Sequence, residues 1–209
     1  MKKTFIYLTF LFMLTACENT PFKPSELQTS ISLATEPSTP DNTSISLIQR
    51  KKQQAVIETA FSRRTSPERA RYLAAICFDK TLGTTFMPYD LAEIALVETG
   101  GHRLSSRAVS RRGARGVWQL MPYRAQSHGY SAKDMLDDGK CAEAAVCELY
   151  EKLDMAQGDL ERAKKFYCGQ GPQATAYMKK IHRIRCEMYA EQSQRNDTFA
   201  LAEQGTRIR

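Results

Sequence analysis

Apolar residues along most of this chain recur at the three- and four-residue intervals of a helix. From Arg50 or Lys51, Ala55, Val56, Thr59 and Ala60 recur between charged residues until about Arg64. Ser66-Pro67-Glu68 then reads as a cap followed by proline in a first turn. It opens a helix expected to bury Tyr72, Leu73, Ile76 and Cys77 and to end at Gly83. Pro88 opens the next, which carries Leu91, Ile94, Ala95 and Glu98 on one face and stops at Gly100-Gly101. A further helix starts inside 117–128, and Ser131 to Asp134 suits the cap of a short one. From Asp138, Ala142, Ala145, Val146, Leu149 and Leu153 form one stripe, which Gly158 ends. Leu160 to Tyr167 is a short helix, Gly169 to Pro172 a turn, and Ala174 to about Gln192 a last long helix before a polar tail. Little alternates with period two, so the expected fold is all-α, a compact helical domain with at most a small hairpin in the arginine-rich loop.

The N-terminal stretch follows other rules. Lys2 and Lys3 precede an apolar run from Phe5 to Leu14, too short to span a bilayer and suited to the core of a signal peptide. Leu14-Thr15-Ala16-Cys17 resembles a bacterial lipoprotein box, which implies cleavage after residue 16 and a lipid on Cys17. Ser, Thr, Pro and Asn dominate from there to about Gln49 without helical period, the composition of a tether. The expected organisation is leader 1–16, lipidated Cys17 and tether 17–50, domain 51–192 and polar tail 193–209. Glu18, not Asp, follows Cys17, which favours a periplasmic domain anchored to the outer membrane over inner-membrane retention.

With 209 residues and 42% hydrophobic content, the chain has material for one ordinary core plus appendages. Its formal charge of +7 falls to +5 once Lys2 and Lys3 leave with the leader. Between 99 and 133 there is no Asp or Glu, yet Arg103, Arg107, Arg111, Arg112, Arg115, Arg124 and Lys133 all fall there. Such a stretch either attracts a polyanion or balances acids elsewhere. No finger spacing, phosphate loop or aromatic-interleaved basic motif accompanies it, so nucleic acid is not the expected partner. Beyond Cys17 come Cys77, Cys141, Cys147, Cys168 and Cys186, an odd number that allows at most two bridges in a monomer and fixes no pairing. His102, His128 and His182 have no ligand spacing and no Cys-x-x-Cys occurs, so neither metal nor cofactor is expected.

Glu98 carries the candidate chemistry. A carboxyl on an apolar helical face is desolvated, which raises its pKa and keeps it protonated near neutrality, as a general acid requires. The loop after it holds Ala108-Val109-Ser110, Gly113-Ala114-Arg115-Gly116 and Val117-Trp118-Gln119-Leu120-Met121-Pro122. Together these resemble the lytic transglycosylases with the goose-type-lysozyme-like fold, whose signature is Glu-Ser, Ala-x-Ser, Gly-Ala-x-Gly and an apolar pair before Gln-Leu-Met-Pro. Thr99 stands where the family has Ser, and the spacing from Glu98 to Ala108 is about three residues longer than usual. The resemblance implies Glu98 as catalytic acid and Ser110, Gln119 and Met121 as substrate contacts. Each of the three also has a structural alternative: a turn cap, a loop strut and core. Trp118 reads as core.

A second motif, Phe166-Tyr167-Cys168-Gly169, is followed by Ala176-Tyr177-Met178-Lys179-Lys180-Ile181. The family carries Tyr-Asn-small-Gly here, and its Tyr hydroxyl orients the catalytic Glu. Aligned without a gap, Phe166 leaves that role empty; shifted by one, Tyr167 fills it; or both rings are core. Within the motif no second acid is placed across the cleft, so the resemblance implies a one-carboxylate reaction on peptidoglycan glycan strands, without metal or cofactor, that ends in a 1,6-anhydro ring. The competing expectations are a hydrolase of the same fold and a non-catalytic wall-binding scaffold. An envelope-spanning secretion or conjugation machine is a further expected partner.

Overall fold

The computed structural model describes residues 42–206, with side chains over 46–198. The leader, Cys17 and the tether up to residue 41 lie outside the described residues. Seven α-helices are present among those residues: α1 (Asn42–Ser62), α2 (Pro67–Thr81), α3 (Pro88–Thr99), α4 (Pro122–Ser127), α5 (Asp138–Met155), α6 (Leu160–Cys168) and α7 (Pro172–Thr206). They contain no strand, and the expected small hairpin appears as two isolated bridges, Val109 with Arg115 and Arg115 with Leu120.

Helix α3 is the centre, packed against α1, α2, α5 and α7. Leu91, Ala92, Ile94 and Ala95 are buried around nearly its whole circumference, so it is an interior rod and not the one-faced helix that the pattern predicts. Pro88 sits in the first turn, and the Asp90 side chain caps it by accepting from the Met87 amide at 2.7 Å. Trp118 is fully buried against the same helix and donates its indole N–H to the Leu91 carbonyl at 3.0 Å, which places it in the core as expected. On α2, Leu73, Ile76 and Cys77 are buried as expected, whereas Tyr72 is exposed. Ser66 caps α2 by accepting from the Arg69 amide.

Both ends of the domain reach further than the pattern predicts. Residues 42–50, read as tether, are the first turns of α1. Arg50 is buried there and donates to the carbonyls of Thr81 and Phe86 at 2.8 Å each, which satisfies the frayed end of α2 and the turn behind it. In α1 the buried apolar positions are Val56, Ile57 and Phe61, while Ala55 faces solvent. The last helix runs past Gln192 to Thr206, and residues 191–195 of it have tertiary partners. The Tyr89 hydroxyl donates to Gln192 at 2.8 Å, Arg63 pairs with Glu191 at 2.8 Å, and Arg195 donates to Thr59.

A charged network is sealed between α3, α6 and α7. Lys164, fully buried, donates to Asp90 and Glu93 at 2.6 Å each, and Arg185 forks onto the two oxygens of Glu93 at 2.7 and 2.8 Å. Arg185 also reaches Glu161. All five cysteines among the described residues are free, with Cys77 and Cys141 buried.

Candidate active site

Thr99 closes α3 and ties it to the loop that follows. Its buried hydroxyl donates to the Val117 carbonyl at 2.8 Å, a bond that a serine at this position could equally make. A short 3₁₀ turn over Gly100–His102 comes next, then Arg103 and Leu104 in the left-handed region at φ 57° and 52°. Leu104 is buried, and Arg69 donates to its carbonyl at 2.8 Å while forking onto Asp138. The longer loop is therefore pinned and not loose. Further on, Gly116 sits at φ +79°, where a Cβ would lie 2.3 Å from the Met135 carbonyl oxygen and 2.6 Å from the Cys141 Sγ. Only glycine fits that crossing.

The cleft beside this loop encloses about 670 Å³ and lies between the loop, the end of α3 and helices α5, α6 and α7. Glu98 lines it, partly buried. Burial pushes its carboxyl up to about 7 from an ordinary 4.5, against the weaker opposing pull of the Tyr177 hydroxyl and the Lys180 ammonium. No arginine or lysine forms an ion pair with it among the described residues. Tyr177, on α7, is buried, and its hydroxyl makes no closed hydrogen bond; it lies close enough to Glu98 to favour the charged form as a loose contact.

Each residue singled out from the sequence lines this cleft: Glu98, Ser110, Gln119, Met121, Phe166 and Tyr167. The geometry also shows what else they do. The Ser110 hydroxyl oxygen accepts from the Ala114 amide at 3.0 Å, which leaves its proton free to donate. Gln119, held at φ 51°, donates its side-chain N–H groups to the carbonyls of Ala108 and Gly116 at 3.1 and 2.8 Å, so its donors brace the loop and its oxygen is left for a ligand. Met121 is partly exposed just before α4. The hydroxyl that the one-residue shift assigns to Glu98 is bonded elsewhere. The Tyr167 hydroxyl donates to the Trp118 carbonyl at 2.9 Å, and Phe166 packs on the core with the Arg162 guanidinium 5.3 Å from its ring centroid. Tyr177, in the second turn of α7, is the phenol that favours the charged form of Glu98, while Tyr167 also lies within electrostatic reach of that carboxyl.

A model of the Transglycosylase SLT domain matches residues 77–183, just over half of the chain. The chain belongs to this SLT transglycosylase family. Its general activity, lytic transglycosylation of peptidoglycan, follows from that membership. No curated protein matches the chain.

This SLT domain also carries an acid that the sequence motifs do not mark. Glu148, on α5, lines the cleft and is buried. Burial alone would raise its pKa, but bonds from Arg124 and His128, at 2.8 Å each, and the ammonium of Lys152 at 3.1 Å outweigh it, so the carboxyl titrates below its usual range. His128, Glu148 and Glu151 bring three ligand-type atoms within 4.8 Å of one another, and Arg124 and Lys152 already supply the positive charge there. The two cleft acids thus differ in kind: Glu98 is held near neutrality without a counter-ion, and Glu148 is held as an anion by cations.

Proposed function

We propose that this chain is a murein lytic transglycosylase that cuts the β-1,4 bond between N-acetylmuramic acid and N-acetylglucosamine and leaves a 1,6-anhydro-muramoyl end. One observation carries the reading: a cleft-lining carboxyl, Glu98, that titrates near 7 and has no cation bonded to it. Such a group is partly protonated at neutral pH and can serve first as acid and then as base.

Protonated Glu98 gives its proton to the bridging oxygen as the C1–O bond breaks, and the glucosamine part leaves with a free hydroxyl. The carboxylate so formed faces the oxocarbenium-like C1 and then takes the proton of the muramic 6-hydroxyl. O6 closes on C1, water is not consumed, and Glu98 is protonated again. A buried environment strengthens its electrostatic contact with C1, and Tyr177 and Lys180 limit how far the pKa rises, so that the carboxylate state is reachable. Ser110 Oγ–H and the Gln119 side-chain oxygen are the free polar groups that meet sugar hydroxyls or acetamido groups, and Met121 supplies an apolar wall.

The hydrolase alternative needs a second acid to activate water. Glu148 lines the cleft, but its oxygens are occupied by Arg124, His128 and Lys152, which disfavours it as a base. Digestion of purified sacculi with mass analysis separates the readings, because an anhydro end is lighter by one water than a reducing end. Glu98→Gln keeps the shape and removes the titratable proton; it should bind strands and release no anhydro-muropeptides. Full activity in that variant ends the assignment. The proposal includes an acyl anchor at Cys17 and a periplasmic site at the outer membrane, where the wall lies within reach of the tether. Cys17→Ala should move the protein from the membrane pellet to the soluble fraction, and a chain that stays in the pellet refutes the anchor.

A further inference from the structure

A second hollow, of about 410 Å³, opens on the other side of Glu98 between α1, α3 and α7, and it shares Val97, Glu98 and Lys180 with the main cleft. Its far wall comes from residues outside the 77–183 family match: Arg63 and Arg64 at the end of α1, and Ile184, Glu187, Met188 and Glu191 on α7. The floor is apolar, from Leu96, Val97, Ile184 and Met188, and the rim is cationic.

The pairing of that rim is unequal. Glu191 is taken by Arg63 at 2.8 Å and by Arg195 at 3.2 Å, and Glu187 by Arg183 at 3.8 Å. Arg64, His102 and Lys180 are exposed, and their side chains form no hydrogen bond or ion pair among the described residues. With Glu98 neutral, four Arg and Lys side chains face two acids, and the unsatisfied charge is positive. A neutral sugar ring has no use for this rim. The peptide branches on muramic acid end in free carboxylates and leave the glycan next to the bond that Glu98 addresses.

We propose that this hollow is a carboxylate-binding groove that holds the acidic peptide branch of the strand while the sugars occupy the main cleft. The inference rests on the reading of the chain as a peptidoglycan-cleaving enzyme. Arg64 grips the carboxylates together with Arg183, whose exposed contact with Glu187 is long at 3.8 Å, the apolar floor takes the aliphatic parts of the peptide, and the domain prefers peptide-bearing strands to stripped ones. Because the gripping charges are exposed, the preference weakens as salt rises.

The test is kcat/KM of the full chain on two substrates, peptide-bearing strands and strands stripped by an amidase. In an Arg64→Ala, Arg183→Ala double variant, losing two exposed charge contacts should cost about three- to tenfold on peptide-bearing strands and nothing on stripped ones. The corresponding double Lys variant should retain the preference, and an unchanged melting temperature shows that the variants fold. Equal loss on both substrates, or loss on neither, overturns the groove. If the wild-type chain cuts neither substrate, the transglycosylase reading fails by itself. The groove is then judged by titrating the free peptide, released by the amidase, into the wild-type chain and following the guanidinium resonances: shifts at Arg64 and Arg183 uphold it, and their absence overturns it.

Discussion

The Glu98→Gln variant should be more stable than the wild type, by an amount that depends on pH. Glu98 titrates at about 7 in the folded chain and at 4.5 as an ordinary carboxyl. Below the ordinary value both folded and unfolded chains hold the proton, and burial of the neutral acid carries no ionic penalty. As pH rises through the window between those values, the unfolded chain releases its proton first, so it binds fewer protons than the folded one and stability falls. Above the folded value both forms are ionised and the penalty is constant. At about 1.4 kcal/mol for each pH unit between the two values, it reaches about 3 kcal/mol. That figure already includes the opposing help from Tyr177 and Lys180. Glutamine has the same shape and never ionises, so the variant escapes the penalty. Urea unfolding of both proteins from about pH 4 to about pH 8 should show a stability difference near zero at the acid end that grows to about 3 kcal/mol in favour of Gln. A difference that stays flat across this range would mean that Glu98 is well solvated, and the acid–base role would lose its physical basis.

Other perturbations separate groups that lie close together. Tyr177→Phe removes a hydroxyl that favours ionised Glu98, so the Glu98 pKa read from the pH–rate profile should move up and activity fall by about tenfold, whereas Tyr167→Phe should leave that pKa in place and lose about 1 kcal/mol by stranding the Trp118 carbonyl. A shift of the profile in the Tyr167 variant instead would return the orienting role to that residue. Gly116→Ala should fail to give folded protein, or lose more than about 3 kcal/mol in thermal melts, since its Cβ meets Met135 and Cys141 at a positive φ. Lys164→Met leaves Asp90 and Glu93 without their shared ammonium and should cost about 3 kcal/mol; a loss under about 1 kcal/mol would show that Arg185 alone suffices.

The helices were legible wherever punctuation and period agreed. Ser66-Pro67 and Pro88 mark the starts of α2 and α3, and the stripe from Ala142 to Leu149 is the buried face of α5. Legibility failed at the outer ends of α1 and α7, where no regular apolar stripe marks the helix. Arg50 has no apolar signature, yet it closes the end of α2. At the site, the ordered motif located Glu98, Ser110, Gln119 and Met121 in one cleft, because family spacing carries the loop geometry with it. The phenol beside Glu98 was the harder part. The motif offers Phe166 or Tyr167 for that role and does not mark Tyr177, and the Trp118 carbonyl that takes the Tyr167 proton has no signature in sequence. Glu148 was hidden for a similar reason: Arg124 and His128, at α4 and its end, reach it only through the packing of that helix on α5.

Why one helix carries two buried acids of such different character follows from where each meets the fold. Glu93 lies midway along α3, 1% exposed, at the depth where α6 and α7 cross it, and both neighbours send a cation there: Lys164 and Arg185. Without them the carboxylate would be too costly to bury, so this site functions as a fixed ionic joint between three helices. Glu98 lies five residues later, where α3 emerges at Thr99 and Gly100 and the two hollows meet. There α7 presents a phenol and a more distant ammonium in place of a bonded cation, and the cleft supplies space instead of a packed partner. Moving a cation into bonding distance of Glu98 would hold it ionised, as Arg124 and Lys152 do for Glu148, and would remove the proton that it has to give. The buried ion network at Glu93 ties α3 to α6 and α7, and the end of the same helix presents Glu98 to the cleft with no bonded cation.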